Sequence, residues 1–90
     1  MDPRNAQLHF DLGRALHAQE RTAEAIVEYR AAAVLDPSDA RTAYQLALTY
    51  ETEGRLAEAI EQYRRAVELD PANPKPRQRL ATAMARQGSR

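Results

Sequence analysis

His9 and His17 are the only histidines in the chain, so they are the first place to look for metal or acid–base chemistry. A two-histidine metal site on one helix needs the i, i+4 spacing that sets both rings on one face, a single turn apart. These two are eight residues apart, which reads as solvated or interfacial side chains rather than ligands. The acid pair Glu24 and Glu28 has helical spacing but flanks Ile26 on the outward side, as a solvated helix face does. The absence of Cys removes disulfides, zinc–thiolate sites and thiol nucleophiles. No glycine-rich phosphate loop occurs, and no serine lies near a histidine and an acid in sequence. The residues argue against an enzyme, and no cofactor or metal is expected.

Charge is the next source of chemistry. Net charge is zero, yet residues 1–73 hold 8 Arg against 13 acids while residues 74–90 hold Lys75, Arg77, Arg79, Arg86 and Arg90 with no acid, a split of −5 and +5. Such a tail can bind phosphates in a salt-sensitive way. It carries no aromatic residue on which bases could stack, and the body is acidic, so the pattern argues against nucleic acid. Arg86 is favourably placed near the end of a helix. The split also allows the tail of one chain to dock on the body of another, stacking copies head to tail. No apolar run reaches the ~18 residues that a membrane span needs. Met1-Asp2-Pro3-Arg4 has no signal-peptide character, which leaves the compartment unknown, with the cytoplasm as the default expectation.

The elements that must position these side chains are marked by three copies of one motif. Asp2-Pro3-Arg4-Asn5, Asp36-Pro37-Ser38-Asp39 and Asp70-Pro71-Ala72-Asn73 place prolines at a constant step of 34. A proline cannot continue the helix behind it and pushes its preceding Asp out of the α region. The Asn or Asp that ends each mark can accept the free N–H groups of a new helix, which makes Asn5, Asp39 and Asn73 the expected N-caps. Val and Ile are scarce, Ala numbers 18 of 90 residues, and no period-2 run of β-branched residues appears, so helix is expected throughout.

Between the marks, Leu8, Leu12, Ala15 and Leu16 recur on one helical face from Ala6 to Gln19, and Ile26, Tyr29 and Ala33 do so from Ala23 to Leu35. Thr22 is the expected cap of the second run. The simplest reading is two antiparallel helices joined by a short turn. Residues 6–39 and 40–73 are identical at 13 of 34 positions, including Ala23-Glu24-Ala25-Ile26 against Ala57-Glu58-Ala59-Ile60 and Tyr29-Arg30 against Tyr63-Arg64. Gly54 stands where Glu20 stood and supplies the left-handed residue that ends a helix. Glu20 must make the same turn with a Cβ, or turn differently. A third copy begins at Pro74, well suited to a first helical position, and stops after one helix with the stripe Leu80, Ala83 and Met84. The chain is therefore expected to be one domain, 1–90, of five helices: a repeat at 6–39, a repeat at 40–73 and a half repeat or capping helix at 74–88. It begins in mid-mark and ends at a turn, as a piece of a longer array would.

Leu12-Gly13, Leu16, Ala25, Tyr29, Ala32 and Pro37, and again Leu46-Ala47, Tyr50, Gly54, Ala59, Tyr63, Ala66 and Pro71, resemble the signature of the tetratricopeptide repeat family. The chain departs from it where His9 and Ala43 occupy a position often held by Trp, and where Glu20 replaces the turn glycine. The resemblance implies an all-α, right-handed α-solenoid of stacked helix-turn-helix repeats. In it Gly13, Ala47 and Ala81 lie where the first helix of a pair approaches its partner, opposite Ala25, Ala59, Ala32 and Ala66. Leu12, Leu16, Ile26 and Tyr29 are expected to interlock within a repeat. If a helix normally precedes the first, Leu8 and His9 expose the face that it would cover, through which the chain could dimerise.

The resemblance also implies a function, that of a non-catalytic scaffold binding a protein or peptide along the concave groove formed by the first helix of each pair. Here that face carries Phe10, Arg14 and His17, then Arg41, Tyr44, Gln45 and Leu48, then Lys75, Arg79 and Arg86. Phe10, Tyr44 and Leu48 would anchor apolar side chains while the cations fix acidic ones, so the expected ligand is an acidic or amphipathic segment. Lys75 and Arg79, one turn apart, fall where some members of the family clamp a C-terminal carboxylate, with Gln45 in place of that clamp's Asn. Recognition of a partner's C-terminus and head-to-tail self-assembly are the alternatives.

Overall fold

The structure is a computed structural model that describes residues 3–88. Five helices follow one another: α1 (Pro3–Ala18), α2 (Thr22–Leu35), α3 (Ala40–Thr52), α4 (Leu56–Leu69) and α5 (Pro74–Gly88), with no strand among the described residues. Helix α1 packs on α2 and α3 on α4 as antiparallel pairs, while α2 meets α3 and α4 meets α5 across the repeat boundary. The result is an elongated stack of 41 × 29 × 17 Å.

Two of the three expected caps form. Asp39 accepts the Arg41 N–H at 2.9 Å, and Asn73 accepts the Lys75 N–H at 3.1 Å. Asn5 does not cap, because α1 already begins at Pro3, a position where the missing N–H of proline costs nothing. Thr22 is the first buried residue inside α2 and makes no cap bond; the N-cap position belongs to Arg21. The turn before it is closed instead by the backbone, with the Arg21 N–H donating to the Leu16 carbonyl at 2.9 Å. Arg55 repeats that bond to the Tyr50 carbonyl at 2.9 Å. Both turns pass through a left-handed residue, Gly54 at φ 78° and Glu20 at φ 63°. Glu20 therefore makes the same turn as the glycine, against its own Cβ.

The core is a line of small and aromatic residues threaded between the helices. Ala25, Tyr29, Ala47, Ala59, Tyr63 and Ala66 are fully buried, with Leu16, Ile26, Leu46, Tyr50 and Ile60 beside them. Gly13 lets the Tyr29 ring lie against the α1 backbone, since a Cβ there would stand 2.8 Å from two of its ring carbons. Ala81 is exposed, unlike its counterparts Gly13 and Ala47, because no helix follows α5 among the described residues to be approached.

The expected interior stripe of α1 is corrected in part. Leu16 is buried; Leu8, on the face left uncovered, is 65% exposed, but Leu12, expected to interlock within the repeat, is 48% exposed. Their counterparts in α3, Thr42 and Leu46, are 2% and 3% exposed, because α2 lies over that face of α3. In α5 the same stripe places Pro76 and Ala83 inside and leaves Leu80 half-buried, with Met84 45% exposed.

Candidate functional site

Three first helices, α1, α3 and α5, form one layer of the stack, and polar side chains stitch them together. The Arg41 guanidinium donates to the Gln7 side-chain carbonyl on α1 at 3.0 Å. His17 Nδ1 lies 3.4 Å from the Thr49 hydroxyl on α3. At the other end, Arg86 of α5 pairs with Glu51 of α3, and Glu51 also accepts the Tyr63 hydroxyl at 2.6 Å.

Six of the ten expected groove residues line a single open recess of about 350 Å³: Phe10, Arg14, Arg41, Tyr44, Gln45 and Lys75. Its far wall is made by Asp70, Asn73 and Pro76 with Ala40. Those walls were not expected, because the motifs mark Asn73 and Pro71 as punctuation rather than as lining. Arg14 and Gln45 also line an adjoining recess of about 300 Å³, where they meet His17, Ala18 and Tyr29. Leu48, Arg79 and Arg86 line neither.

The residues differ in how free they are. Phe10, expected as an apolar anchor, is 4% exposed. Its ring packs tilted against Tyr29 at 5.8 Å between centroids, and the Arg41 guanidinium covers it at 4.7 Å. Tyr44 and Leu48 are half-buried and rest on the core, Tyr44 being tilted against Tyr63 at 6.0 Å. Arg41 is occupied by Gln7, by the face of Phe10 and by the Asp39 carboxylate at 2.8 Å. The hydrogen bond from Arg41, reinforced by the backbone N–H groups at the start of α3, holds the Asp39 carboxyl below its ordinary range against the effect of its partial burial. Arg86 is taken by Glu51. Among the described residues, Arg14, Lys75 and Arg79 are the groove cations whose charged ends have no ion-pair or hydrogen-bond partner.

His9 and Glu28 bond to one another at 2.7 Å between α1 and α2, so this histidine is interfacial. No grouping of three or more potential metal ligands occurs among the described residues, and no helix there is long and apolar enough to cross a membrane.

The model of the tetratricopeptide repeat matches residues 13–54 and again 52–88. The chain belongs to the tetratricopeptide repeat family. Solved structures similar to this repeat chain include crystalline MamA, at TM-score 0.91 and 26% identity over 97% of this chain and 51% of that one. The type III secretion chaperone SycD of Yersinia enterocolitica, solved in complex with a peptide of the translocator YopD, is similar at TM-score 0.86 and 21% identity over 91% and 63%. The Sgt2 tetratricopeptide domain from Aspergillus fumigatus is similar at TM-score 0.86 and 24% identity over 93% and 56%. This repeat chain thus spans about half to three fifths of those structures. No match is found among curated protein sequences.

Proposed function

We propose that this tetratricopeptide chain is a non-catalytic protein-interaction scaffold, a single domain of two repeats and a half repeat. It holds an extended acidic or amphipathic peptide along the layer formed by α1, α3 and α5. The observation that carries this reading is the three partnerless cations on this layer, Arg14 and Lys75 sharing a recess with the half-buried Tyr44 and Arg79 one turn on from Lys75 along α5, with Leu48 half-buried on α3. Cations of this kind recruit carboxylates without first having to break an internal pair, and the apolar side chains supply area for residues between the acids. That SycD, of similar fold, was solved with a peptide bound is consistent with this use of the scaffold. Fluorescence anisotropy with a short acidic amphipathic peptide, prepared as free acid and as C-terminal amide, tests the reading. Arg79→Gln and Tyr44→Ala should each weaken binding, and unchanged affinity in both would overturn it. Equal affinity of acid and amide assigns recognition to side chains, whereas loss of binding by the amide assigns it to a C-terminal clamp at Lys75, Arg79 and Gln45.

A second reading, self-association, rests on the uncovered face of α1. Leu8 and Leu12 expose apolar surface at positions that are interior in α3, and a second copy could cover them. Head-to-tail stacking through the charge split should dissociate as salt rises. Sedimentation that finds monomer at both low and high salt excludes it.

A further inference from the structure

Tyr29 and Tyr63 are the same residue one repeat apart, and only one of them has a use for its hydroxyl. Tyr63 donates to Glu51. Glu51 is replaced in the first repeat by His17, one period of 34 earlier. His17 turns to Thr49 instead. Thr49 spends its own proton on the Gln45 carbonyl at 2.7 Å, so His17 Nδ1 must be the donor in that contact. The Tyr29 side chain is fully buried, and its hydroxyl has no partner among the described residues. A buried donor without an acceptor is costly and calls for an explanation.

The surroundings of that hydroxyl point to a ligand. Tyr29 lines the smaller recess together with Arg14, His17, Ala18 and Gln45. Burial pushes the Tyr29 phenol up to about 12, against the opposing pull of the nearby Arg14 charge, so the group is a donor throughout the neutral range. An acceptor that carries negative charge would accept from the phenol and also pair with the Arg14 charge, whereas a water could accept from both but would leave that charge without a counter-ion. The second repeat meets the same need with a glutamate of its own, held by a tyrosine and an arginine. We propose that the Tyr29 hydroxyl and Arg14, in the recess that His17 also lines, form a seat for the carboxylate of a glutamate or aspartate in a bound peptide, which takes the place that Glu51 fills in the second repeat.

This seat deepens the groove reading and rests on it. Arg14 and Gln45 are shared by both recesses, so a peptide lying in the larger one can drop one acidic side chain into the smaller. The occupant is an internal acidic side chain rather than a chain terminus, since the feature to be matched is a buried phenol beside a single free guanidinium.

The test uses a fluorescent, N-acetylated and C-amidated peptide of alternating Ala and Glu, with its Gln counterpart, titrated into the whole chain at low salt. Tyr29→Phe should weaken the Glu peptide about tenfold, the effect of losing one hydrogen bond to a charged group. Arg14→Gln should weaken it comparably, and the Gln peptide should not distinguish Tyr29→Phe from the unaltered protein. Since Tyr29→Phe removes an atom that bonds to nothing, the variant should melt no lower than the parent. Tyr29 ring resonances should shift with the Glu peptide and not with the Gln peptide. Full affinity in Tyr29→Phe, while Arg79→Gln and Tyr44→Ala lose it, would overturn the seat and leave the groove standing. Failure of the Glu peptide to bind at all would overturn both.

Discussion

Tyr63 donates its hydroxyl to Glu51 at 2.6 Å, while the equivalent Tyr29 donates to nothing among the described residues. The two repeats therefore answer the same oxygen-deletion experiment differently. Tyr63→Phe should destabilise the fold by roughly 1.5–3 kcal/mol, the range for hydrogen bonds to charged groups. Tyr29→Phe should be neutral or slightly stabilising. Urea denaturation of both variants checks this, and equal losses would mean that the repeats are not distinguished at this position.

Gly13 is required by contact rather than by backbone conformation. A Cβ would stand 2.8 Å from Tyr29 Cδ1 and Cε1, and the ring is fully buried and cannot retreat. Gly13→Ala should cost roughly 1–3 kcal/mol as overpacking, despite the gain of about 1 kcal/mol in helix propensity. A rise in the melting temperature would show that the helices can separate freely.

Glu20 holds φ 63° where Gly54 holds 78°. Glu20→Gly should raise stability by up to ~1 kcal/mol, because relief of the left-handed penalty of about 1–2 kcal/mol outweighs the added freedom of the unfolded chain. Gly54→Ala should lower stability, although no atom lies within 4 Å of the new Cβ. Thermal melts of the pair decide the matter.

Asp39 combines a cap with an ion pair, and its carboxyl is held below its ordinary range in the folded chain. A group depressed on folding adds stability that is fully present above its unfolded value of about 3.9 and is lost as pH falls through the folded value. Asp39→Ala should cost roughly 0.5–2 kcal/mol at neutral pH as a lost cap. Asp39→Asn should keep most of the cap but lose stability less steeply below about pH 4. Denaturation midpoints across the acid range measure both.

The repeat architecture was legible because it is written in spacing. The proline step, the paired Ala-Glu-Ala-Ile runs and the two tyrosines require no tertiary information, and five helices follow from them. Leu12, expected to interlock within its repeat, is half exposed, because an apolar stripe shows which face wants a neighbour, not whether one is there. Asn5 failed as a cap because a proline alone can open a helix. In the groove, residue types were visible but pairing was not: Phe10 lies beneath Arg41, Arg41 is taken by Asp39 at the start of its own helix, and Arg86 is taken by Glu51 on α3. The lone hydroxyl of Tyr29 did leave a trace in the sequence, the exchange of Glu51 for His17 in frames offset by 34, and it gains meaning once Glu51 is seen to hold Tyr63.

The central claim is that the layer of α1, α3 and α5 receives an acidic segment, and amide chemical-shift mapping tests it most directly. On addition of a C-amidated acidic amphipathic peptide, the account predicts that the largest shifts fall on Arg14, Tyr44, Gln45, Lys75 and Arg79. Shifts concentrated on the exposed outer residues of α2 and α4, such as Glu24, Arg30 and Glu61, would contradict it.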